Sequence, residues 1–264
     1  MIPEIFEGFH IHHHKEVSST NREALDLIDK EISNEATIIA DKQTDGRGRT
    51  GKSWVSPKGN FCASLIIDLL HNRSGIIPTL GSRVTYWNNN RENLSKLTEL
   101  TFVTAVAVGN TLSLFIGDSN IQYKWPNDIL VDDKKISGIL LEKKSNSNWL
   151  VIGIGINIDH TPLSEATCVS SYGKSVFNTD LLKELIINFN KLRKQWIFDG
   201  FYAIREMWLK RAFRMNEQIS VKLAGKLHEG IFVDIDKSGR LVLQQKDESL
   251  IYSDAGELFV DSAL

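Results

Sequence analysis

Residues 46–53 read Gly46-Arg47-Gly48-Arg49-Thr50-Gly51-Lys52-Ser53. By letter, this octapeptide satisfies two phosphate-binding patterns. Gly46, Gly48 and Gly51 fit the dinucleotide pattern, and Gly46 with Gly51-Lys52-Ser53 fits the P-loop. Both motifs hold phosphate on backbone N–H groups at a helix N-terminus, so a helix must follow the loop directly. Here Trp54-Val55-Ser56-Pro57-Lys58-Gly59-Asn60 follows instead. Pro57 stops a helix within its first turns and biases Ser56 toward extended backbone. Phe61 to Leu70 then reads as a buried strand. With no dipole at hand, neutralising an anion falls to Arg47, Arg49, Lys52 and Lys58, opposed by Asp45. Arginine forks bind phosphate or carboxylate bidentately and keep their charge. The competing reading is a solvated basic hairpin. A loop this basic and glycine-rich, with no helix behind it, is expected to be disordered until a ligand closes it.

Three further segments carry polar groups in positions suited to a ligand. Lys124-Trp125-Pro126-Asn127-Asp128 is a charged turn at a strand end. Asp128 can bind a divalent cation and Asn127 can orient a phosphate, or both can simply cap the turn. Lys135-Ile136-Ser137-Gly138 opens the next strand, where an ammonium and a bare backbone can approach one ligand, or where a hairpin merely carries charge. Gly153-Ile154-Gly155-Ile156-Asn157 places two glycines on one strand face. Either a ligand or a packed neighbour can lie flat there.

The elements that must position these groups follow from periodicity. Residues 9–17 read as a strand, with His10, His12 and His14 on one polar face and no acidic or cysteine partner at ligand spacing. Thr20-Asn21-Arg22-Glu23 reads as a capping box for a helix through Ile32, with Thr20 as the cap. Strands are expected at 37–41 and 61–70. An irregular stretch at 71–96 carries Arg73, Arg83, Arg91 and Lys96 against Glu92, and a buried helix runs from Leu97 to about Leu114. Strands follow at 121–124, 129–131, 136–144 and 149–158. An amphipathic helix covers 179–198, capped by Asn178 or Thr179, and another covers about 200–211. From about 214 the chain turns to short β segments, expected as a closed or nearly closed β domain over 214–264 beside a main domain of 1–213.

Composition narrows the function classes. The 264 residues carry 31 basic and 33 acidic side chains, so no global charge points to nucleic acid. No apolar run reads as approaching the ~18 residues of a membrane helix. The N-terminus lacks the basic and apolar regions of a signal peptide. Cys62 and Cys168 fit no metal spacing and suit a reducing cytoplasm.

Five motifs occurring in order make a specific resemblance. They are Ser19-Thr20-Asn21; Gln43 with Gly46-Arg47-Gly48-Arg49, Gly51 and Trp54; Lys124-Trp125-Pro126-Asn127-Asp128; Lys135 with Gly138-Ile139-Leu140 and Glu142; and Gly155-Ile156-Asn157. The chain resembles the biotin–protein ligases, strongly over 9–160 and more weakly beyond. The resemblance implies an α+β fold with a central mixed β-sheet flanked by helices, like class II synthetases, plus a small C-terminal SH3-like β-barrel. It implies a ligase that joins biotin and Mg-ATP into biotinyl-5′-AMP. The biotinyl group then passes to a lysine of a biotin carboxyl carrier protein.

By the same resemblance, Lys135 bridges the biotin carboxylate and the α-phosphate, and Arg47 and Arg49 close over the adenylate. Ser19, Thr20, Asn21, Gln43, Gly48, Gly138 and Gly155 belong to the biotin side. Lys52, Trp54, Asn127, Asp128 and Asn157 belong to the ATP side, Asp128 with Mg2+, and Trp54 and Trp125 supply apolar walls. Thr50 and Lys52 stand where such ligases usually carry arginines, so less charge covers the intermediate. The chain starts at the catalytic region, so a monofunctional form without DNA binding is expected, as a monomer or homodimer. Open alternatives are a lipoate or octanoate ligase or transferase of the same fold, a non-catalytic biotin- or carrier-binding module, and a P-loop NTPase.

Overall fold

The computed structural model describes residues 4–69, 90–117, 120–144, 147–161, 163–173, 175–223, 226–253 and 257–259. Its elements in chain order begin with β1 (Ile5–Phe6), β2 (Phe9–His14), α1 (Thr20–Ile28), β3 (Ala36–Ala40) and β4 (Phe61–Asp68). Then come α2 (Asn90–Ile116), β5 (Ile121–Lys124), β6 (Asp128–Val131), β7 (Lys134–Lys143) and β8 (Trp149–Ile156). Helices α3 (Asn178–Asp199) and α4 (Phe201–Leu209) precede β9 (Gln218–Leu223), β10 (Lys226–Ile235), β11 (Leu241–Gln244), β12 (Leu250–Ser253) and β13 (Glu257–Phe259).

Eight strands form one mixed sheet in the order β1-β2-β3-β4-β8-β7-β6-β5. Only β2 and β3 pair in parallel, which is why a helix, α1, has to connect them. Strands β3, β4 and β8 are nearly continuous apolar runs because both sheet faces are covered. Alternation assigns the residues of β4 and β8 to two faces. Ile66 and Val151 pack with Ala24 and Ile28 of α1 on one side. Leu65, Ile67, Leu150 and Ile152 join the main core with α2, α3 and α4 on the other.

Helix α2 is the centre of that core. Its stretch Lys96–Ile116 is long and apolar enough to span a membrane by composition. Here Leu100, Phe102, Val103, Ala105, Val106 and Leu112 are buried inside the protein instead. The reading of the chain without such a run is corrected accordingly: short polar residues such as Thr104 and Thr111 interrupt the apolar letters, while the helix itself was expected from Leu97 to about Leu114. Both hydroxyls donate back to the carbonyl one turn earlier, at 2.7 and 2.8 Å, so they stay inside the core without unmet bonds.

The second sheet is antiparallel, in the order β12-β11-β10-β9-β13. Its inner residues Ile219, Val221, Phe232, Ile235, Leu241 and Leu243 are continuous with the main core. Trp125 Nε1 donates to Gly239 O at 3.2 Å, and Tyr123 exchanges backbone bonds with Arg211 and Phe213. Arg205 adds a bond to Ile235 O and an ion pair with Asp234.

Three boundaries differ from those expected. α2 starts at Asn90, seven residues before the expected Leu97, because the polar Asn-Arg-Glu-Asn turn shows no apolar period. The remainder of the 71–96 stretch, 71–89, lies outside the described residues. α1 is capped at Ser19 and α3 at Phe177, neither with a side-chain bond, so neither the capping box on Thr20 nor a cap at Asn178 or Thr179 forms. The first N–H of α1 is satisfied from elsewhere: Thr20 N donates to Gln43 Oε1 at 2.8 Å.

Candidate active site

Strand register builds the floor of the site. Cys62 pairs with Gly155, Gly155 with Gly138, and Gly138 with Asp128, one row across four strands. The next row is Ser64, Gly153 and Leu140, and the one after is Ile66, Val151 and Glu142. All lie on the α1 face of the sheet. The glycines create a trough. A Cβ at Gly153 would meet Asn21 Oδ1 at 2.2 Å, and one at Gly155 would meet the Trp54 indole at 2.3 Å. Asn21 and Trp54 therefore occupy the space that side chains would have filled.

At one end of the trough is a buried network of uncharged side chains, bordered by the Glu142 carboxylate. Thr20 Oγ1 donates to Gln43 Oε1 at 3.1 Å. Ser64 Oγ lies 2.8 Å from Thr20 Oγ1 and 2.6 Å from Asn21 Oδ1, with one proton to share between them. Asn21 Nδ2 donates to Glu142 Oε2 at 2.7 Å. The wall is held by the first turn of α1, by β4 and by the loop after β3.

Above the trough runs the 46–54 loop. No helix follows it, and it joins two antiparallel strands, so the phosphate-loop readings are excluded by topology. It has a fold of its own: Arg47 bridges Ser53, Gly48 N donates to Lys52 O at 2.6 Å, and Trp54 N donates to Gly46 O at 2.8 Å. Gly46 has to be glycine, since a Cβ would lie 2.2 Å from Trp54 O. At the tip, Thr50 takes φ 52°, a left-handed conformation that a β-branched residue resists. Arg47 pairs with Glu142 at 2.7 Å, and Arg49 donates to Asn127 Oδ1 at 3.2 Å.

The opposite end is charged. Lys135 Nζ pairs with Asp128 at 2.7 Å and lies 5.5 Å from the Trp54 ring centroid. Asn127 Nδ2 is fixed on Ile139 O at 2.7 Å. Burial holds the Lys124 ammonium below the ordinary lysine value. Lys135 and Lys52 push it the same way, while Asp128 and Glu165 oppose them. The cavity is about 850 Å³, and its lining includes Arg47, Arg49, Lys52, Lys124, Lys135 and Lys222 against Asp128 and Glu165. Six cations against these two carboxylates and Glu142, which pairs Arg47 from just outside the lining, leave a surplus of three, in a chain whose overall charge is −2. That local excess calls for a polyanion.

Three buried polar atoms on this lining lack a protein partner: Arg47 Nε, Trp54 Nε1 and Asn157 Oδ1. The first two seek acceptors such as phosphate or carboxylate oxygens, and the third seeks a donor such as a hydroxyl. Asn157 itself is held firmly, with its N on Ile136 O and its Nδ2 on Thr167 O. Asn60 anchors the turn beyond, since its Oδ1 accepts from the N–H groups of Ile158, Asp159 and His160. Among the described residues no three His, Cys, Asp or Glu side chains cluster as a metal cage. Asp128 with Asn127 suits instead an Mg2+ that arrives on phosphates, because that ion keeps its waters and needs only one or two carboxylates.

All fifteen residues assigned to ligand binding from sequence line this cavity: Ser19, Thr20, Asn21, Gln43, Arg47, Gly48, Arg49, Lys52, Trp54, Asn127, Asp128, Lys135, Gly138, Gly155 and Asn157. Trp125 lines it too, though its indole N–H is spent on Gly239. Gly155 makes room for Trp54 rather than directly for a ligand. Sequence reasoning missed Ser64 and Lys222, while Gly153 was read only as one of two glycines on a strand face. Ser64 lies inside an apolar strand, and only a polar residue amid that run hinted at a role. Lys222 comes from the second sheet, 87 positions after Lys135, and nothing local marks it. The histidines of β2 stay away from the cavity, with His13 bonded to Asp41 at 2.7 Å.

Comparison with known proteins agrees with this geometry. Residues 14–159 match the model of the biotin/lipoate A/B protein ligase family, and residues 215–261 match the biotin protein ligase C-terminal domain. A biotin–[acetyl-CoA-carboxylase] ligase of Paracoccus denitrificans is 32% identical, over 86% of this chain and 90% of its own. The bifunctional ligase/repressor BirA of Bacillus subtilis is 31% identical over 75% of this chain, but only 58% of that relative is covered. The fold superposes on a biotin protein ligase of Aquifex aeolicus, solved with biotin and ATP. The TM-score is 0.75 at 23% identity, over 94% of this chain and 97% of that one. The chain belongs to the biotin/lipoate A/B protein ligase family.

Proposed function

We propose that this protein is an ATP-dependent biotin–protein ligase that makes biotinyl-5′-AMP and transfers the biotinyl group to a lysine of a carrier protein. The observation that carries the reading is the polarity of one cavity. A buried, hydrogen-bonded pocket of mostly uncharged groups at one end faces a cation surplus at the other, which includes Lys135. A small polar head with an apolar tail and a carboxylate fits the first end, and a nucleoside triphosphate fits the second. In the first step a carboxylate oxygen forms a bond to the α-phosphorus, and pyrophosphate leaves with the electron pair of the broken P–O bond. In the second, a neutral lysine amine bonds to the acyl carbon, AMP leaves, and the amine proton passes to solvent.

Each residue has a task in that scheme. Two anions must meet, so bridging positive charge is the main requirement. Lys135 sits where it can serve both, steadied by Asp128. Ser19, Thr20, Asn21 and Gln43 bind the head, with the Gly138 and Gly155 backbone as its floor. Arg47, Gly48, Arg49 and Lys52 cover the adenylate, which keeps water from the anhydride. Trp54, Asn127 and Asn157 take the nucleotide side, and Asp128 takes Mg2+, which would supply charge neutralisation on the phosphates. Residues 1–213 would form the catalytic unit and 214–264 its cover, with Lys222 reaching the cavity. The acceptor would be the biotin carboxyl carrier domain of an acetyl-CoA carboxylase, as the Paracoccus relative's name suggests. ATP use and two free thiols suit the cytoplasm.

The test is pyrophosphate release from labelled ATP. It is expected with biotin and to yield biotinyl-adenylate. Release with lipoate or octanoate but not biotin would overturn the reading. ATP hydrolysis that needs no acid would do the same.

A further inference from the structure

Glu142 lies on the cavity face of β7, in one row with Ile66 and Val151. One of its oxygens, Oε2, accepts from two partners at 2.7 Å: Asn21 Nδ2 and Arg47 Nη2. The first belongs to the opening turn of α1 and the second to the loop above the trough. A single carboxylate oxygen thus joins the head-binding wall to the lid.

Two consequences follow. A carboxylate only accepts hydrogen bonds, so it forces the Asn21 amide to turn its NH2 toward Glu142. Asn21 Oδ1 is thereby left facing Ser64 Oγ at 2.6 Å, and the head-binding wall has one orientation rather than two. On the other side, Arg47 is held by its Nη2 while its buried Nε keeps no protein partner. The guanidinium is anchored at one corner and open at another. A separate cavity of about 540 Å³ borders residues 45–53 together with Leu140 and Glu142. Packing is therefore thin against this stretch of the loop, and the ion pair matters more to its position than it would on a packed surface.

We propose that Glu142 is a positioning residue, a latch that holds the 46–54 lid closed through Arg47 and orients Asn21 through the same oxygen. It touches no reacting atom. Its effect on retention of the adenylate rests on the ligase reading, while its effect on the lid does not.

Trypsin reads the lid without any substrate, because Arg47, Arg49 and Lys52 are cleavage sites within it, and the last two remain in R47A. The isosteric E142Q keeps the shape and removes the charge, and R47A breaks the same link from the exposed side. Each should raise the rate of cleavage after Arg49 and Lys52 by roughly three- to tenfold, the range for a half-buried charge-assisted bond. The double variant should be cut no faster than R47A alone, because both changes remove one link. In turnover, E142Q should release free biotinyl-adenylate faster while slowing pyrophosphate formation less. Wild-type cleavage rates in E142Q, or additive effects in the double variant, would overturn the latch. If the wild-type enzyme forms no pyrophosphate with biotin, the ligase reading fails, and the cleavage rates still decide the latch.

Discussion

The two ends of the cavity solve opposite problems. At the uncharged end, Ser19, Thr20, Asn21 and Ser64 are each at most 3% exposed, and Ser64 bonds both Thr20 and Asn21. At the charged end, the Lys135 and Asp128 side chains are 36% and 23% exposed, and burial, with Lys135 and Lys52 nearby, holds the Lys124 ammonium below its ordinary value. The first end is preorganised, so its polar groups are desolvated during folding and little is left to rearrange on binding. The second end stays partly hydrated because clustered cations cannot be buried without their counter-charge. A neutral ligand group is recognised by geometry, and a polyanion by a charge deficit that it fills.

Removal of the bridging charge should have the largest effect. Lys135→Ala should lower the rate of pyrophosphate formation by about 10²–10³-fold, the range for losing one preorganised charge contact in a transition state. Its thermal midpoint should hardly move, since Asp128 can rehydrate. A rate near wild type would remove Lys135 from the chemistry and blur the distinction between the ends.

The glycine trough comes next. Gly153→Ala places a methyl 2.2 Å from Asn21 Oδ1, so α1 or β8 has to shift. The strain should cost about 1–3 kcal/mol of stability, and biotin affinity should fall in step. Unchanged biotin binding by calorimetry would mean that the wall is pliant rather than preorganised.

The smallest expected effect sharpens the comparison most. Ser64→Ala removes a hydroxyl shared by Thr20 and Asn21 and should cost about 1–2 kcal/mol. The KM for biotin should rise about tenfold, with the KM for ATP unchanged. Added salt should do the reverse, raising the KM for ATP more than that for biotin, because a polyanion loses more to screening than a single carboxylate. If salt moves both constants together, the ends are not independent.

Much of the site was legible in the chain because its residues sit in locally marked places. Pro57 and the strand after it excluded both phosphate-loop folds, and topology agrees. Gly138, Gly155 and Asn127-Asp128 stood out as glycines and turn residues at strand ends. Caps were read less well. Thr20 looked like a helix cap, yet it bonds Gln43, 23 positions away, and Gln43 in turn satisfies the helix. The start of α2 was hidden by a polar first turn that leaves no periodic trace.

By itself the sequence determined the element types, the chemistry of the motifs and the exclusion of a helix behind the basic loop. Each of these depends on neighbours within a few residues. Only the tertiary structure decided that Gly153 exists for Asn21, Gly155 for Trp54, and Glu142 for both Asn21 and Arg47. Those pairings cross from 95 to 121 positions for Glu142. They depend on strand register, where a shift of one residue sends every side chain to the other face. Nothing local to either partner encodes that register.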